Sequence, residues 1–274
     1  MTDRYAVIGH PVAHSRSPEI HAAFAREAGQ TIVYDRLLAP LDGFLATVDA
    51  FRASGALGAS VTLPFKLEAY GYANELTERA RQAGAVNTLK FDGAHILGDN
   101  TDGVGLCRDI VDNLEVPISG ARILLIGAGG AARGVLGPLI SAGPQTIAIT
   151  NRTFSKADAI AKYFSSLGPI KAVSAGDLAL QRFDILINAT SASLSHSLPP
   201  VPVSCFQPGV LAYDMMYGEG PTPFMALAAS AGARVADGLG MLVQQAAEAY
   251  FVWRGVRPAT ARVMAQLRAH TRSA

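Results

Sequence analysis

Apolar positions follow two rhythms along this chain. Short runs rich in branched residues recur, and each leads into a longer stretch with apolar residues at helical spacing. In the first hundred residues, 5–8, 31–37, 58–63 and 87–91 read as strands. Between them 18–28, 41–54 and 68–84 read as helices. The first of these has Ser17 as its N-cap, Pro18 at the first helical position and Gly29 at its stop. A helix over 103–113 and a connector over 115–120 place a domain boundary in that stretch. Beyond it, strands are expected near 122–127, 146–150, 170–173, 184–188 and 210–214, and helices near 131–142, 155–167 and 222–231. Two closing helices are expected over 240–253 and 257–269, packing back on the first domain. Strands and helices in alternation predict an α/β protein whose parallel sheet is covered on both faces. Two domains leave a cleft between them, a common place for a ligand.

One junction in this rhythm carries chemistry. The apolar run Ile123-Leu124-Leu125-Ile126 reads as a buried parallel strand and stops at Gly127-Ala128-Gly129-Gly130-Ala131-Ala132. A helical segment follows. Strand, glycine turn and helix form the layout of a dinucleotide fold. Gly127 allows the tight turn, Gly129 lets backbone N–H groups approach a pyrophosphate, and Ala132 is the small residue where helix packs on strand. The helix N-terminus adds unpaired N–H groups and partial positive charge. The next strand ends in Asn151-Arg152-Thr153. An NAD-binding fold usually carries Asp or Glu here, to accept from the ribose 2′-hydroxyl. This chain carries no acid. Arg152 can fork onto a phosphate, Thr153 and Ser155 offer hydroxyls, and Lys156 adds a second cation. These groups suit a 2′-phosphate, so NADP is expected in preference to NAD.

Composition narrows the class further. Of 274 residues, 50% are hydrophobic and 16% charged, with a net charge of +1, so neither nucleic acid nor a membrane surface is an expected partner. Cys107 and Cys205 lie far apart without metal-type spacing, which suits a reducing cytosol. The first residues show no signal-peptide pattern, and no apolar run approaches a membrane span. His10 and His14 have the spacing of helical metal ligands, but Pro11 between them argues against a helix. The Asp99–Gly103 stretch lacks the alternating acids of a calcium loop. No metal is expected.

Several short segments complete the picture. They are Gly9-His10-Pro11-Val12-Ala13-His14-Ser15-Arg16-Ser17-Pro18, Val61-Thr62-Leu63-Pro64-Phe65-Lys66, Gly84-Ala85-Val86-Asn87-Thr88 and Asp99-Asn100-Thr101-Asp102-Gly103. Further on stand Asn188-Ala189-Thr190-Ser191, Tyr213-Asp214-Met215-Met216-Tyr217 and Gly238-Leu239-Gly240-Met241-Leu242-Val243-Gln244-Gln245-Ala246. Together with the glycine turn and Asn151-Arg152-Thr153, and in this order, they resemble the shikimate dehydrogenase family over nearly the whole chain. The resemblance implies an N-terminal α/β substrate-binding domain over 1–103, a Rossmann-type NADP-binding domain over 104–239, and helices over 240–274 returning to the first. It implies reversible NADPH reduction of 3-dehydroshikimate to shikimate, in the cytoplasm, by a monomer or homodimer serving chorismate and aromatic amino-acid biosynthesis.

The resemblance also assigns roles. Lys66 matches the catalytic lysine and Asp102 its partner. A carboxylate beside a lysine raises its pKa while burial lowers it, and the sequence leaves that balance open. Ser15 and Ser17 match the groups that hold the substrate carboxylate, and a helix N-terminus with hydroxyl donors suits an anion. Thr62, Asn87, Tyr217 and Gln245 match further substrate contacts, with Gln244 on another helix face. For the cofactor, Gly127, Ala128, Gly129, Gly130, Ala131, Asn151, Arg152, Thr153, Phe154, Ser155, Lys156, Met215 and Gly238 carry over, with Thr190 near the nicotinamide end and Glu78 on the cofactor side. The family often has arginine where Lys156 stands; lysine keeps the charge but not the planar fork. Three alternatives stay open: a quinate/shikimate enzyme of the same family, a folate-type methylene dehydrogenase, against which the Ser15-Arg16-Ser17 segment speaks, and a non-catalytic NADP-sensing module, against which Lys66 and Asp102 speak.

Overall fold

A computed structural model describes residues 2–190, 192, 197–218 and 220–273, the side chains of 270–273 excepted. Ser191, in one of the segments above, lies outside the described residues. The chain divides into two compact units, one running up to Gly105 and including Val243–Gln266, the other comprising Leu106–Leu242 and the residues from Leu267 onward.

The first unit begins with β1 (Asp3–Gly9), α1 (Ser17–Glu27), β2 (Ile32–Leu38), α2 (Phe44–Ala53), β3 (Gly58–Val61) and α3 (Lys66–Tyr72). It continues through β4 (Glu75–Leu76), α4 (Glu78–Ala83), β5 (Thr88–Asp92), β6 (His95–Asp99) and the start of α5 (Asp102–Arg108), which runs on past Gly105. Its sheet has the order β2-β1-β3-β5-β6-β4. β1 pairs in parallel with β2 and β3, whereas β5 is antiparallel to β3 and to β6. Strand alternation sorts the side chains between two faces. Ala6 and Ile8 of β1 join Phe44, Val48 and Phe51 of α2 on one face, with Phe65 and Ala69. Tyr5 packs on the other with Ala249 and Trp253.

The structure corrects the sequence reading in four places here. The helix expected over 68–84 is two short helices flanking β4, because Asn74 ties its side chain to Ala94 O and Ile96 N, and Thr77 then caps a new helix by accepting from Ala80 N. Ser17 is not an N-cap: Arg16 holds that position without a side-chain bond, and Ser17 is the first helical residue, its amide donating to Ser15 Oγ at 3.3 Å. A strand absent from the sequence reading, β6, forms a hairpin with β5 around Gly93, at φ +59°. The helix expected to end at 113 is α-helical to Arg108 and continues as a wider π-wound turn over Asp109–Asn113.

The second unit contains β7 (Arg122–Ile126), α6 (Gly130–Ser141), β8 (Thr146–Thr150), α7 (Phe154–Phe164), β9 (Ile170–Ala172), β10 (Ile185–Asn188), β11 (Leu211–Asp214), α8 (Pro223–Ser230) and β12 (Arg234–Ala236). α9 (Leu239–Arg254) and α10 (Ala261–Ser273) close the chain. The sheet order is β12-β11-β10-β7-β8-β9, every pair parallel. Counted from β7, that is the doubly wound 3-2-1-4-5-6 order, with its switch point between β7 and β10. Both faces are covered: Ile123 and Leu125 of β7 pack with Val135, Leu139 and Ile160 on one, Leu124 and Ile126 with Phe206 and Phe224 on the other. The short β12 was absent from the sequence reading, and the last helix starts at Ala261 rather than 257, after Gly255 (φ +69°) and Pro258.

Candidate active site

In the first unit, a cluster of polar side chains gathers around Asp102. Lys66 opens α3 directly after Phe65, which is fully buried and stacks on Phe44 with ring centroids 5.0 Å apart. Such a stack contributes about 0.5–1.5 kcal/mol beyond area burial, and it anchors the residue that precedes the lysine. Lys66 Nζ donates to Asp102 Oδ2 at 2.5 Å. Asp102 opens α5, its amide donating to Asn100 Oδ1 at 3.1 Å. Asn87, just before β5, donates from Nδ2 to Asp102 Oδ1 (2.8 Å), Thr101 Oγ1 (3.0 Å) and Gln245 Oε1 (3.3 Å). Its Oδ1 accepts from Thr101 N and from the Thr88 hydroxyl. Both carboxylate oxygens of Asp102 are therefore occupied. The carboxylate is 6% exposed and the lysine 26%. A buried anion orients an ammonium that still reaches solvent, which is the arrangement a proton donor or acceptor needs. Gln244 faces elsewhere, donating to Thr260 Oγ1 at 3.1 Å.

The entrance of α1 supplies hydroxyls. Ser15 Oγ lies 3.2 Å from Ser17 Oγ, and Arg36 Nε donates to Ser15 O at 2.8 Å. Tyr34, on β2, donates to Ser60 Oγ at 2.8 Å and has Ser17 as a further partner, while burial pushes its phenol pKa up. Sequence reading missed Tyr34 and Ser60, because only the pairing of β1 with β2 and β3 brings them beside Ser17. Thr62 is half-buried after β3; a Cβ on Gly9 would fall 2.4 Å from its methyl, so the close approach requires glycine at 9. Glu78 is not drawn into this cluster: its contacts are Arg81 and Gln82 on its own helix. His10 Nδ1 is 2.8 Å from Ala39 O, and among the described residues no group of three or more His, Cys, Asp or Glu could hold a metal.

In the second unit, Gly127 follows β7 with φ +114°, and its N–H donates to Thr150 O at 2.8 Å. A Cβ there would lie 3.0 Å from Thr190 Cγ2 and 3.1 Å from the Ala189 carbonyl. Glycine thus brings the turn after β7 against the loop after β10, at the switch point where open α/β sheets bind ligands. Gly129 precedes α6 and, with Gly130 and Ala131, is exposed; Ala128 is half-buried. Asn151 Nδ2 donates to Thr153 O at 3.0 Å, while Arg152, Thr153, Phe154, Ser155 and Lys156 stand exposed at the start of α7. Thr190 donates from Oγ1 to the buried Asn188 Oδ1 at 2.7 Å. After β11, Asp214 accepts from Met216 N (3.1 Å) and the Thr222 hydroxyl (2.6 Å), shaping the turn that carries Met215 and Tyr217. Gly238 meets that turn: its N–H donates to Met216 O, and a Cβ would fall 2.2 Å from Met215 O.

A doubly wound sheet with a glycine turn at its switch point, and a basic, acid-free end to the next strand, defines a dinucleotide-binding α/β protein with a second α/β unit. Residues 7–89 match the shikimate dehydrogenase substrate binding domain, 109–196 the shikimate / quinate 5-dehydrogenase domain and 238–268 the shikimate 5'-dehydrogenase C-terminal domain. A shikimate dehydrogenase (NADP(+)) of Herminiimonas arsenicoxydans is 60% identical over 98% of each chain. An Ael1 enzyme from Pseudomonas putida has a crystal structure matching at TM-score 0.93 with 47% identity, over 97% of this chain and 98% of its own. The shikimate 5-dehydrogenase of Thermus thermophilus, solved with NADP(H) and shikimate, matches at TM-score 0.88 with 32% identity, over 98% of this chain and 99% of its own. The chain belongs to the shikimate dehydrogenase family.

Proposed function

We propose that this chain is an NADP-dependent oxidoreductase interconverting 3-dehydroshikimate and shikimate, on the route to chorismate and the aromatic amino acids. The observation that carries the reading is the 2.5 Å Lys66–Asp102 pair, held by Asn87, which also donates to Gln245, in a member of this family. NADP, when bound, supplies or takes the hydride. Lys66 donates a proton to the developing alkoxide oxygen in reduction and takes it back in oxidation. Asp102 orients the lysine. Ser15 and Ser17 hold the carboxylate, and Thr62, Asn87, Tyr217 and Gln245 supply neutral contacts to ring hydroxyls. Arg152 and Lys156 receive the 2′-phosphate, with no acid in the Asn151–Lys156 stretch to repel it. Gly127 through Ala131, Met215, Gly238 and Thr190 border the rest of the dinucleotide, with Glu78 assigned to the cofactor side. The two cysteines are free thiols, in keeping with a cytoplasmic setting. Among the described residues no helix is long and apolar enough to cross a membrane. The test is reduction of NADP followed with shikimate, with quinate and NAD as parallel arms. Turnover with shikimate and NADP well above the other combinations is expected; no shikimate-dependent reduction would overturn the reading. Sedimentation would separate monomer from homodimer.

A further inference from the structure

Arg79 stands in the first unit, on α4, and the chemistry above does not use it. Its side chain is 24% exposed, and its guanidinium engages two buried carboxylates. Nε and one terminal nitrogen fork onto Asp99 at 2.7 and 2.5 Å, and the other terminal nitrogen donates to Glu248 Oε1 at 3.0 Å. Burial opposes the charge on Arg79, but Asp99 and Glu248 outweigh it and raise its pKa.

The two carboxylates belong to the two segments that deliver the site. Asp99 ends β6, and its Oδ1 also accepts from the Thr77 hydroxyl (2.6 Å) and from Asn100 N (2.7 Å). Asn100 in turn accepts the Asp102 amide. Glu248 lies three residues past Gln245 on α9, on the same side of the helix. Both segments converge on one side chain, Asn87, at 2.8 Å for Asp102 and 3.3 Å for Gln245. Arg79 is thus a brace across the base of the site. A buried ion pair is weak evidence for stability in itself. A planar fork fixes direction as well as distance, which lysine cannot reproduce.

We infer that Arg79 is a positioning residue: its fork fixes Asp99 and Glu248, and thereby sets Asp102 with its lysine and Gln245 in register for the reaction. The inference rests on Lys66 and Asp102 being the reacting pair. Arg79→Lys keeps the charge and loses the fork. It should fold, lose kcat by about tenfold to a hundredfold and raise shikimate KM several-fold, while NADP KM stays within about twofold. Arg257 also bonds Glu248 but has no bond to Asp99, so Arg257→Gln should keep kcat within about twofold even if its melting temperature falls. Glu248→Gln releases only the α9 arm and should raise shikimate KM more than it lowers kcat. In Arg79→Gly, guanidinium ion at a non-denaturing concentration should restore part of kcat, and ammonium at the same concentration should not.

Normal kcat and KM in folded Arg79→Lys would overturn the inference, and so would an equal kcat loss in Arg257→Gln. If Arg79→Lys does not fold, an unchanged shikimate KM in Glu248→Gln overturns it instead. A wild-type chain without shikimate-dependent NADP reduction overturns the proposed function and this inference together. An active wild type with unaffected variants overturns the inference alone.

Discussion

Around Lys66 the first unit holds its polar groups side chain to side chain, with Asp102 and Asn87 buried and nearly every oxygen occupied. Around Gly127 the second unit does the opposite: backbone shape makes the cradle, and Arg152 through Lys156 stand free at the surface. The first arrangement is preorganised, so on the proposed function the removal of its lysine should be felt in turnover. The second leaves its N–H groups and cations exposed to solvent. Its losses should appear in binding, and salt should weaken them.

The sharpest way to break this contrast is Lys66→Ala. A positioned proton donor contributes about 10²–10⁴-fold, so kcat should fall by at least about 10²-fold with shikimate KM changed much less. Near-normal kcat would mean the buried cluster is scaffold only. Asp102→Asn should lose kcat too, by releasing the lysine. Next in size, Ser15→Ala and Ser17→Ala should each raise shikimate KM about tenfold, since a hydrogen bond to a charged group contributes about 1.5–3 kcal/mol. NADP KM should hold, and calorimetry showing normal shikimate binding in both variants would move the carboxylate elsewhere.

On the dinucleotide side, Arg152→Ala should raise NADP KM by about tenfold, on the scale of one charged hydrogen bond, and leave NAD KM nearly unmoved. Added salt should shrink the wild-type preference for NADP. Equal losses with both coenzymes would show that Arg152 supports the fold.

The last effect falls on stability, not on turnover, and comes from the core of the first unit. His21 is 1% exposed, has no hydrogen-bond partner on either ring nitrogen and stacks on Tyr34 at 4.3 Å. Burial pushes its pKa down to about 3 from 6.5. The unfolded chain therefore takes up the proton first. The stability tied to neutral His21 is complete above about pH 6.5 and is lost as pH falls toward 3, at up to about 1.4 kcal/mol per pH unit. His21→Phe should flatten the decline of melting temperature over that range; an unchanged pH dependence would show that other groups govern it.

Much of this was legible in the sequence where the signal is local. The β7 run, its glycines and the basic segment after β8 lie close together in sequence, and each has a fixed structural consequence. The Gly93 turn is equally local, since Asp92-Gly93 is a hairpin signal. The break after Tyr72 was harder, because Asn74 finds its partners at Ala94 and Ile96, some twenty residues on. Pairing of Lys66 with Asp102 was implied by family resemblance and not by any periodicity. The Arg79–Glu248 contact spans 169 residues, and Tyr34 reaches Ser60 only through sheet order; no composition or spacing rule could have found either.

The chain has a single tryptophan, and the fold gives it one address. Trp253 is 7% exposed on α9, donates to Leu89 O at 2.9 Å and stacks on Tyr5 with centroids 4.8 Å apart. Its fluorescence is therefore a built-in reporter of the first unit alone. A red shift of that emission during denaturation reads the loss of the Lys66 side of the molecule, while the dinucleotide-binding unit, without an indole, stays dark to it. Set beside circular dichroism, which sees both units, that one ring tells whether the two halves melt together or apart.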